Sequence, residues 1–313
     1  MIAISAGGDH IQYVFGMMSQ LAKKEPHESR TWTAVAGISS GAIVGANICQ
    51  LPQEHTHAEY VALLESMTAR LRKRVLVERW NTLGNILNMM EAMLYHSSVF
   101  KDTLPMLILS DINQSDMEKS TSSLYIGTYN LTKGCYHVFK DKKNIVNKIC
   151  ASASIPAVFP PVKIDGCDYV DGGMKHILPV VSIMEWCESN TGPVDIFCCY
   201  PIKKYEEFVK TDYYKSRRSI VNISSRTAIS LLWNNLQSDL KTLQTYFNIE
   251  DLTNSGVYWS SRSPTRIRRV RLFAPTEGVY SDFSCKDRAA LTKMFDHGVS
   301  IVNQVCMANM ARQ

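Results

Sequence analysis

The nine cysteines of this chain include no C-x-x-C pair and no zinc-finger spacing, and their odd number argues against a closed disulfide framework. They read instead as buried thiols of a reducing compartment. Low-complexity tracts and internal repeats are also missing, and eleven prolines and sixteen glycines in 313 residues are ordinary usage, which excludes solenoids and linker-dominated chains. The first glycine-containing loop matches neither G-x-x-x-x-G-K-[ST] nor G-x-G-x-x-G, so a nucleotide phosphate cradle is not expected there. Met1 to Asp9 has neither the basic start nor the long apolar core of a signal peptide. Thr31 to Gln53 is free of charge, but Gly37, Gly41, Gly45 and Pro52 interrupt it, and a buried strand and helix fits it better than a membrane span. The expectation is an intracellular chain, cytoplasmic or peripherally membrane-associated. No cluster of Asp, Glu or His has calcium or zinc spacing, so neither a metal nor a cofactor is expected.

What is present can fill a sizeable core: 45% of residues are hydrophobic, and one domain over residues 1–313 is the simplest reading. The net charge of +5 is mild, yet basic residues cluster in three places. Arg70, Arg72, Lys73, Arg74 and Arg79 form one group, Lys203 to Arg218 hold a second, and Arg262 to Arg271 a third. No recognised nucleic-acid module accompanies them, so nucleic acid is not an expected partner.

The chain is organised around Val35-Ala36-Gly37-Ile38-Ser39-Ser40-Gly41. A short β-type run meets a G-x-S-x-G, and a helix-compatible run of small and apolar residues follows. Such a strand–turn–helix lifts the serine hydroxyl out of the sheet and sets it at a helix N-terminus, whose partial positive charge favours developing anions. Chance alone yields the pattern in about one chain in ten of this length, and a plain tight connection would look the same. Other segments have to decide.

Ile2-Ala3-Ile4 reads as a buried strand, stopped by Ala6-Gly7-Gly8 and followed by a helix with Ile11, Val14, Phe15, Met18, Leu21 and Ala22 inward. Consecutive backbone N–H groups in such a loop can face an anion. Glu54 to Leu94 reads as two amphipathic helices, with Tyr60, Leu63, Leu64, Met67 and Leu71 in one stripe and Leu83 to Leu94 carrying the other. A hairpin is expected over Leu124 to Phe139, a short helix over Ile145 to Ile155, and strands at Val162 to Ile164, Tyr169 to Asp171, Val194 to Tyr200 and Arg266 to Phe273. Lys286 to Met307 closes as a helix. This alternation predicts an α/β architecture with a mostly parallel sheet, and sites at the carboxyl ends of its strands. Ala6-Gly7-Gly8, Ser39 and Asp171 each sit where a strand is expected to end.

Four blocks in this order resemble the patatin-like phospholipase family. They are Ser5-Ala6-Gly7-Gly8-Asp9-His10, Gly37-Ile38-Ser39-Ser40-Gly41, the segment Ala151 to Val162 with its Ala-Ser-x-x-x-Pro-x-x-Phe-x-Pro pattern, and Asp171-Gly172-Gly173. The third is the most specific. The resemblance covers about residues 1–200, with 201–313 less typical. It implies a three-layer fold, a mostly parallel central sheet flanked by helices, and a Ser-Asp dyad that works without histidine.

Carried over, Ser39 is the nucleophile, Asp171 its base, and the N–H groups of Gly7, Gly8 and Asp9 form the oxyanion hole, with Gly37, Gly41, Gly172 and Gly173 as motif support. The substrate class implied is a phospholipid acyl ester, cleaved in phospholipase A or lysophospholipase fashion without calcium. Neutral glyceride lipase and general esterase are the nearest alternatives, and a catalytically inactive lipid-binding protein is the alternative of another class. A Ser-His-Asp triad is disfavoured, because only one strand and one helix precede Ser39 and neither His176 nor His297 carries a supporting motif. The first block departs from the family pattern at Ala6, His10 and Ile11, which stand where it has glycine, Arg or Lys, and glycine. With a lipid substrate, Arg72, Lys73 and Arg74 are the expected contacts to an anionic, peripheral membrane surface.

Overall fold

Ile2-Ala3-Ile4 shows no polar alternation, the pattern of a strand covered on both faces. In the computed structural model it is β1 (Ile2–Ile4), every residue buried. The structure describes residues 1–25, 32–52, 54–73, 96, 98, 103–109, 111–203, 220–260, 268–277 and 288–310. After β1 come α1 (Ile11–Lys24), β2 (Ala34–Ile38), α2 (Ser40–Cys49), α3 (His57–Lys73), α4 (Leu104–Leu109) and α5 (Gln114–Lys119). The middle of the chain supplies β3 (Ser123–Asn130), β4 (Cys135–Phe139), α6 (Ile145–Ala153), β5 (Val162–Ile164), β6 (Cys167–Asp171) and α7 (Val180–Ser189). Then follow β7 (Val194–Phe197), α8 (Ile220–Phe247), β8 (Gly256–Ser260), β9 (Arg268–Phe273) and α9 (Arg288–Met310).

All these strands join one nine-stranded sheet. Its centre is parallel, in the order β3, β2, β1, β7, β9, while β8 adds antiparallel to β9. Every residue of β1, β2 and β7 is buried, which requires cover on both faces. Helices supply it, and the result is the expected three-layer α/β arrangement, around a mixed sheet whose centre is parallel and whose outer pairings are antiparallel. The apolar residues foreseen in α1 are all buried, and α1 packs along α9.

The order of pairing along β3 places the functional end of the molecule. Residues Ala34–Ile38 of β2 pair with Ser123–Gly127, whereas Tyr169–Asp171 of β6 pair with Thr128–Asn130. Because β4 pairs along Ile126–Asn130 and so occupies the other edge, β2 and β6 share one edge of β3 end to end. Ile38 lies opposite Gly127 and Asp171 opposite the adjoining Thr128, so the residue after β2 meets the end of β6.

The strand expected over Arg266 to Phe273 is β9, and the arginine alternating with Val270 and Leu272 on it is buried: Arg271 is only 3% exposed. It pairs with its neighbour across the strands, Asp195, through Nε–Oδ1 at 2.6 Å and Nη2–Oδ2 at 2.8 Å, and also with Glu25. Trp32 Nε1 donates to the same carboxylate at 2.8 Å. Arg268 is also occupied, donating to Cys187 O in α7 and to Asn190 O and Gly192 O beyond it, with its guanidinium over Trp186. These two arginines are therefore fold contacts and not a lipid-facing surface.

The first amphipathic stripe between Glu54 and Leu94 is α3, with Tyr60, Leu64 and Met67 in the core. The second, Leu83 to Leu94, lies outside the described residues, as does Arg74. Arg72 and Lys73 close α3, and Arg70 in the same helix pairs with Asp111 at 2.6 Å. No described helix is long and apolar enough to cross a membrane.

Candidate active site

The turn between β2 and α2 puts Ser39 at φ 56° and ψ −125°, a region that non-glycine residues avoid. Its backbone is pinned from outside the turn. The Ser39 N–H donates to Ser152 Oγ at 2.9 Å, and the Ser152 hydroxyl donates to Gly127 O at 2.7 Å. The serine is thereby tied to the end of β3, and its own N–H is used. Close approach does the rest: a Cβ on Gly41 would lie 2.5 Å from both Ile4 O and Ser5 O, and one on Gly37 would lie 2.3 Å from Gly41 O. Both obstructions are backbone, so no rotamer relieves them. Gly41→Ala is expected to destabilise the fold by about 2 kcal/mol or more, since overpacking here must move α2 off β1. Urea unfolding measures it, and an unchanged midpoint would contradict this packing.

Asp171 ends β6, and its N–H donates to Ser154 O at 2.9 Å. Oδ1 accepts the Gly173 N–H at 2.7 Å, and the Ser39 side chain lies near enough to the same carboxyl to draw its pKa down. Burial pushes this carboxyl from an ordinary 3.8 up to about 6, against the opposing pull of Ser39 and Gly173. Ser39 and Asp171 are each 5% exposed. One expectation is corrected here: β6 runs antiparallel to β3, so Asp171 reaches the carboxyl ends of the parallel strands from the opposite direction. Gly172 and Gly173 open the one-turn 3-10 helix Gly172–Met174 that follows.

The third segment hangs between β7 and the stretch after that turn. Ser5 N donates to Phe197 O at 3.0 Å and Ala6 N to Ile177 O at 2.9 Å, while Ser5 Oγ accepts from Cys199 N at 2.8 Å and donates to Ala6 O at 2.9 Å. Gly7 lies so close to Cys199 that a Cβ would fall 2.3 Å from Cys199 Cβ, which leaves no alternative to glycine. Among the described residues, the N–H groups of Gly7 and Gly8 donate to no protein acceptor. Gly8, Asp9 and His10 form a one-turn 3-10 helix leading into α1, with the His10 ring 5.1 Å from that of Tyr200. The loop adjoins both other segments, because Gly41 abuts Ile4 and Ser5, and Ala6 Cβ lies 3.5 Å from where a Gly173 Cβ would be.

The structure thus brings Gly7, Gly8, Ser39 and Asp171 to one end of the sheet. Arg72 and Lys73 belong to a different element, at the end of α3. Both histidines weighed for a triad are engaged elsewhere: His176 Nδ1 is 2.6 Å from Asp239 Oδ1, and His297 Nε2 accepts from Thr276 N at 3.2 Å. Among the described residues no three His, Cys, Asp or Glu side chains are grouped to hold a metal ion.

Sequence reading missed four supporting residues. Ser152 and Ser154 hold the backbones of Ser39 and Asp171, and their signal was the Ala-Ser-Ala-Ser run inside the third block. Asn235 and Asp239, on α8, bond to the segment after Asp171.

No curated protein matches the sequence. Solved structures that resemble this fold at low identity include VipD and a human cytosolic phospholipase A2. VipD from Legionella pneumophila is 11% identical with a TM-score of 0.44, over 97% of this chain and 66% of that one. Human GIVD cytosolic phospholipase A2, in complex with methyl gamma-linolenyl fluorophosphonate, is 10% identical with a TM-score of 0.41, over 96% and 56%. The chain spans less than two thirds of the length of either. A sequence model of patatin-like phospholipases matches residues 2–183, more than half of the chain and all four motif blocks. The chain belongs to the patatin-like phospholipase family.

Proposed function

We propose that this protein is a lipid acyl hydrolase that cleaves phospholipid acyl esters through Ser39 and Asp171. The observation that carries the reading is a strained, buried serine set beside a buried carboxyl that burial pushes up to about 6. An ordinary aspartate is too weak a base to take a hydroxyl proton, and raising its pKa toward working pH improves proton transfer. Asp171 accepts the Ser39 proton as Oγ attacks the acyl carbonyl carbon. The tetrahedral oxyanion is met by the N–H groups of Gly7 and Gly8, the terminus of α2 adding its dipole. The C–O bond to the alcohol then breaks, and Asp171 returns the proton to the departing oxygen. Water, deprotonated by Asp171, attacks the acyl carbonyl carbon, the bond from that carbon to Ser39 Oγ breaks, and Asp171 returns the proton to Ser39 as the fatty acid leaves.

Incubation with mixed phospholipid vesicles, resolving fatty acids and lysolipids, tests the reading. Fatty acid and lysophospholipid are expected from the native chain and neither from Ser39→Ala. Release from triacylglycerol alone would point to a neutral lipase, and binding without products to an inactive lipid-binding protein. Both reacting groups being side chains of this chain, turnover is expected to be equal in EDTA and in added calcium. Loss in EDTA that calcium restores would count against the mechanism.

A further inference from the structure

We propose that α8, which lies beyond the matched residues 2–183, completes the active site, with Asp239 and Asn235 as positioning residues for Asp171 and for the Gly7–Gly8 loop. This rests on the reading of Ser39 and Asp171 as the reacting pair. Asp239 is 1% exposed and shares a helix face with Leu236, Leu240 and Leu243, all buried. A carboxylate in such surroundings is costly unless its oxygens are bonded. Here they accept from three consecutive residues: His176 Nδ1 at 2.6 Å, Ile177 N at 2.6 Å and Leu178 N at 2.9 Å.

Those three residues connect the two halves of the site. They follow the turn Gly172–Met174 after one residue, Lys175, and His176 N donates back to Gly172 O at 3.0 Å, so fixing them fixes the exit of the Asp171 segment. Ile177 then presents its carbonyl to Ala6 N at 2.9 Å, so the residue whose N–H Asp239 holds also suspends the glycine loop. One turn earlier on the same face, Asn235 Nδ2 donates to Gly173 O at 3.3 Å and to Met174 O at 3.1 Å, while Gly173 N holds Asp171 Oδ1. The helix cannot slide past these contacts. Gln237 Nε2 donates to Ile202 O and the Tyr246 hydroxyl to Met184 O, each at 3.1 Å, and the His176 ring stands edge-on to Tyr136 at 4.7 Å. Displacing a positioned group by about 1 Å can cost about a hundredfold in rate.

The test uses the full chain, a soluble short-chain aryl ester, and Asn235→Ala, Asp239→Asn, Ser39→Ala and Asp171→Asn side by side. Asn235 is half-buried, so Asn235→Ala is expected to melt near the native temperature. It should nevertheless lose about tenfold or more in kcat, with KM little changed, a shifted acid limb of the pH profile and slower fluorophosphonate labelling of Ser39. Asp239→Asn leaves a donor facing an N–H and should lose more. If it does not fold, Asn235→Ala decides alone. Native kcat and acid limb in Asn235→Ala, or a kcat loss that only tracks a lower melting temperature, would overturn the proposal while Ser39→Ala and Asp171→Asn remain inactive. Activity surviving in those two would overturn the underlying reading, and the proposal with it.

Discussion

Ser39→Ala is expected to lower ester turnover by about 10⁴-fold or more, and Asp171→Asn to cost nearly as much, with the double variant no worse than the worse single one. Residues that act as one unit lose their shared step once, which is why their effects do not add. The geometry makes them a unit: the register of β2 and β6 on β3 sets the serine beside the carboxyl that would take its proton. No histidine is bonded to either group among the described residues, so none stands ready to take over from Asp171. The pH profile carries the same signature. Asp171 works as a base only when ionised, so kcat/KM should rise with pH along an acid limb near the carboxyl's value of about 6. Initial rates across pH, with intact-mass detection of a fluorophosphonate adduct, measure both effects. Adduct formation in Ser39→Ala, or native rates in Asp171→Asn, would falsify the dyad.

How much of this was legible depends on how local each feature is. β1, α1 and the Ser39 elbow could be read directly, because continuous apolar residues, three-four spacing and a glycine on either side of Ser39 are patterns within a few positions. Asp171 could be picked from Asp-Gly-Gly only with help from the family likeness, and the direction of β6 could not be read at all. That direction is set by a ladder with Thr128–Asn130, about forty residues earlier. The partner of Arg271 was out of reach for the same reason: nothing near it in the chain shows that Asp195, 76 residues away, sits opposite it in the next strand. The helix α8 was missed although its signal was present. Leu236, Leu240, Leu243 and Phe247 form a helical stripe, and Asp239 is a lone acid set into that stripe. A single acid on an apolar face asks for partners elsewhere, and the partners here are the residues that follow Asp171.

The same carboxyl that makes the site reactive should weaken the fold, and Asp171→Asn is expected to be more stable than the native chain near pH 8. Burial raises Asp171 from an ordinary 3.8 to about 6, so between those values the folded protein holds a proton that the unfolded chain has released. Stability from this group is therefore fully present below about pH 4 and lost as pH rises through about 6. The difference amounts to about 3 kcal/mol once the carboxyl is ionised in both states. Asparagine carries no charge at any pH, and its Oδ1 still accepts from Gly173 N, so most of that cost disappears while the base is lost. Other buried acids, such as Asp239, are common to both proteins and cancel in the comparison. The expected gain is about 1–3 kcal/mol near pH 8, a few degrees in melting temperature, shrinking to nothing near pH 4. Urea unfolding of the two proteins at both pH values measures it. A variant less stable than the native chain near pH 8, or an advantage that does not change with pH, would mean that Asp171 is not held as a desolvated base.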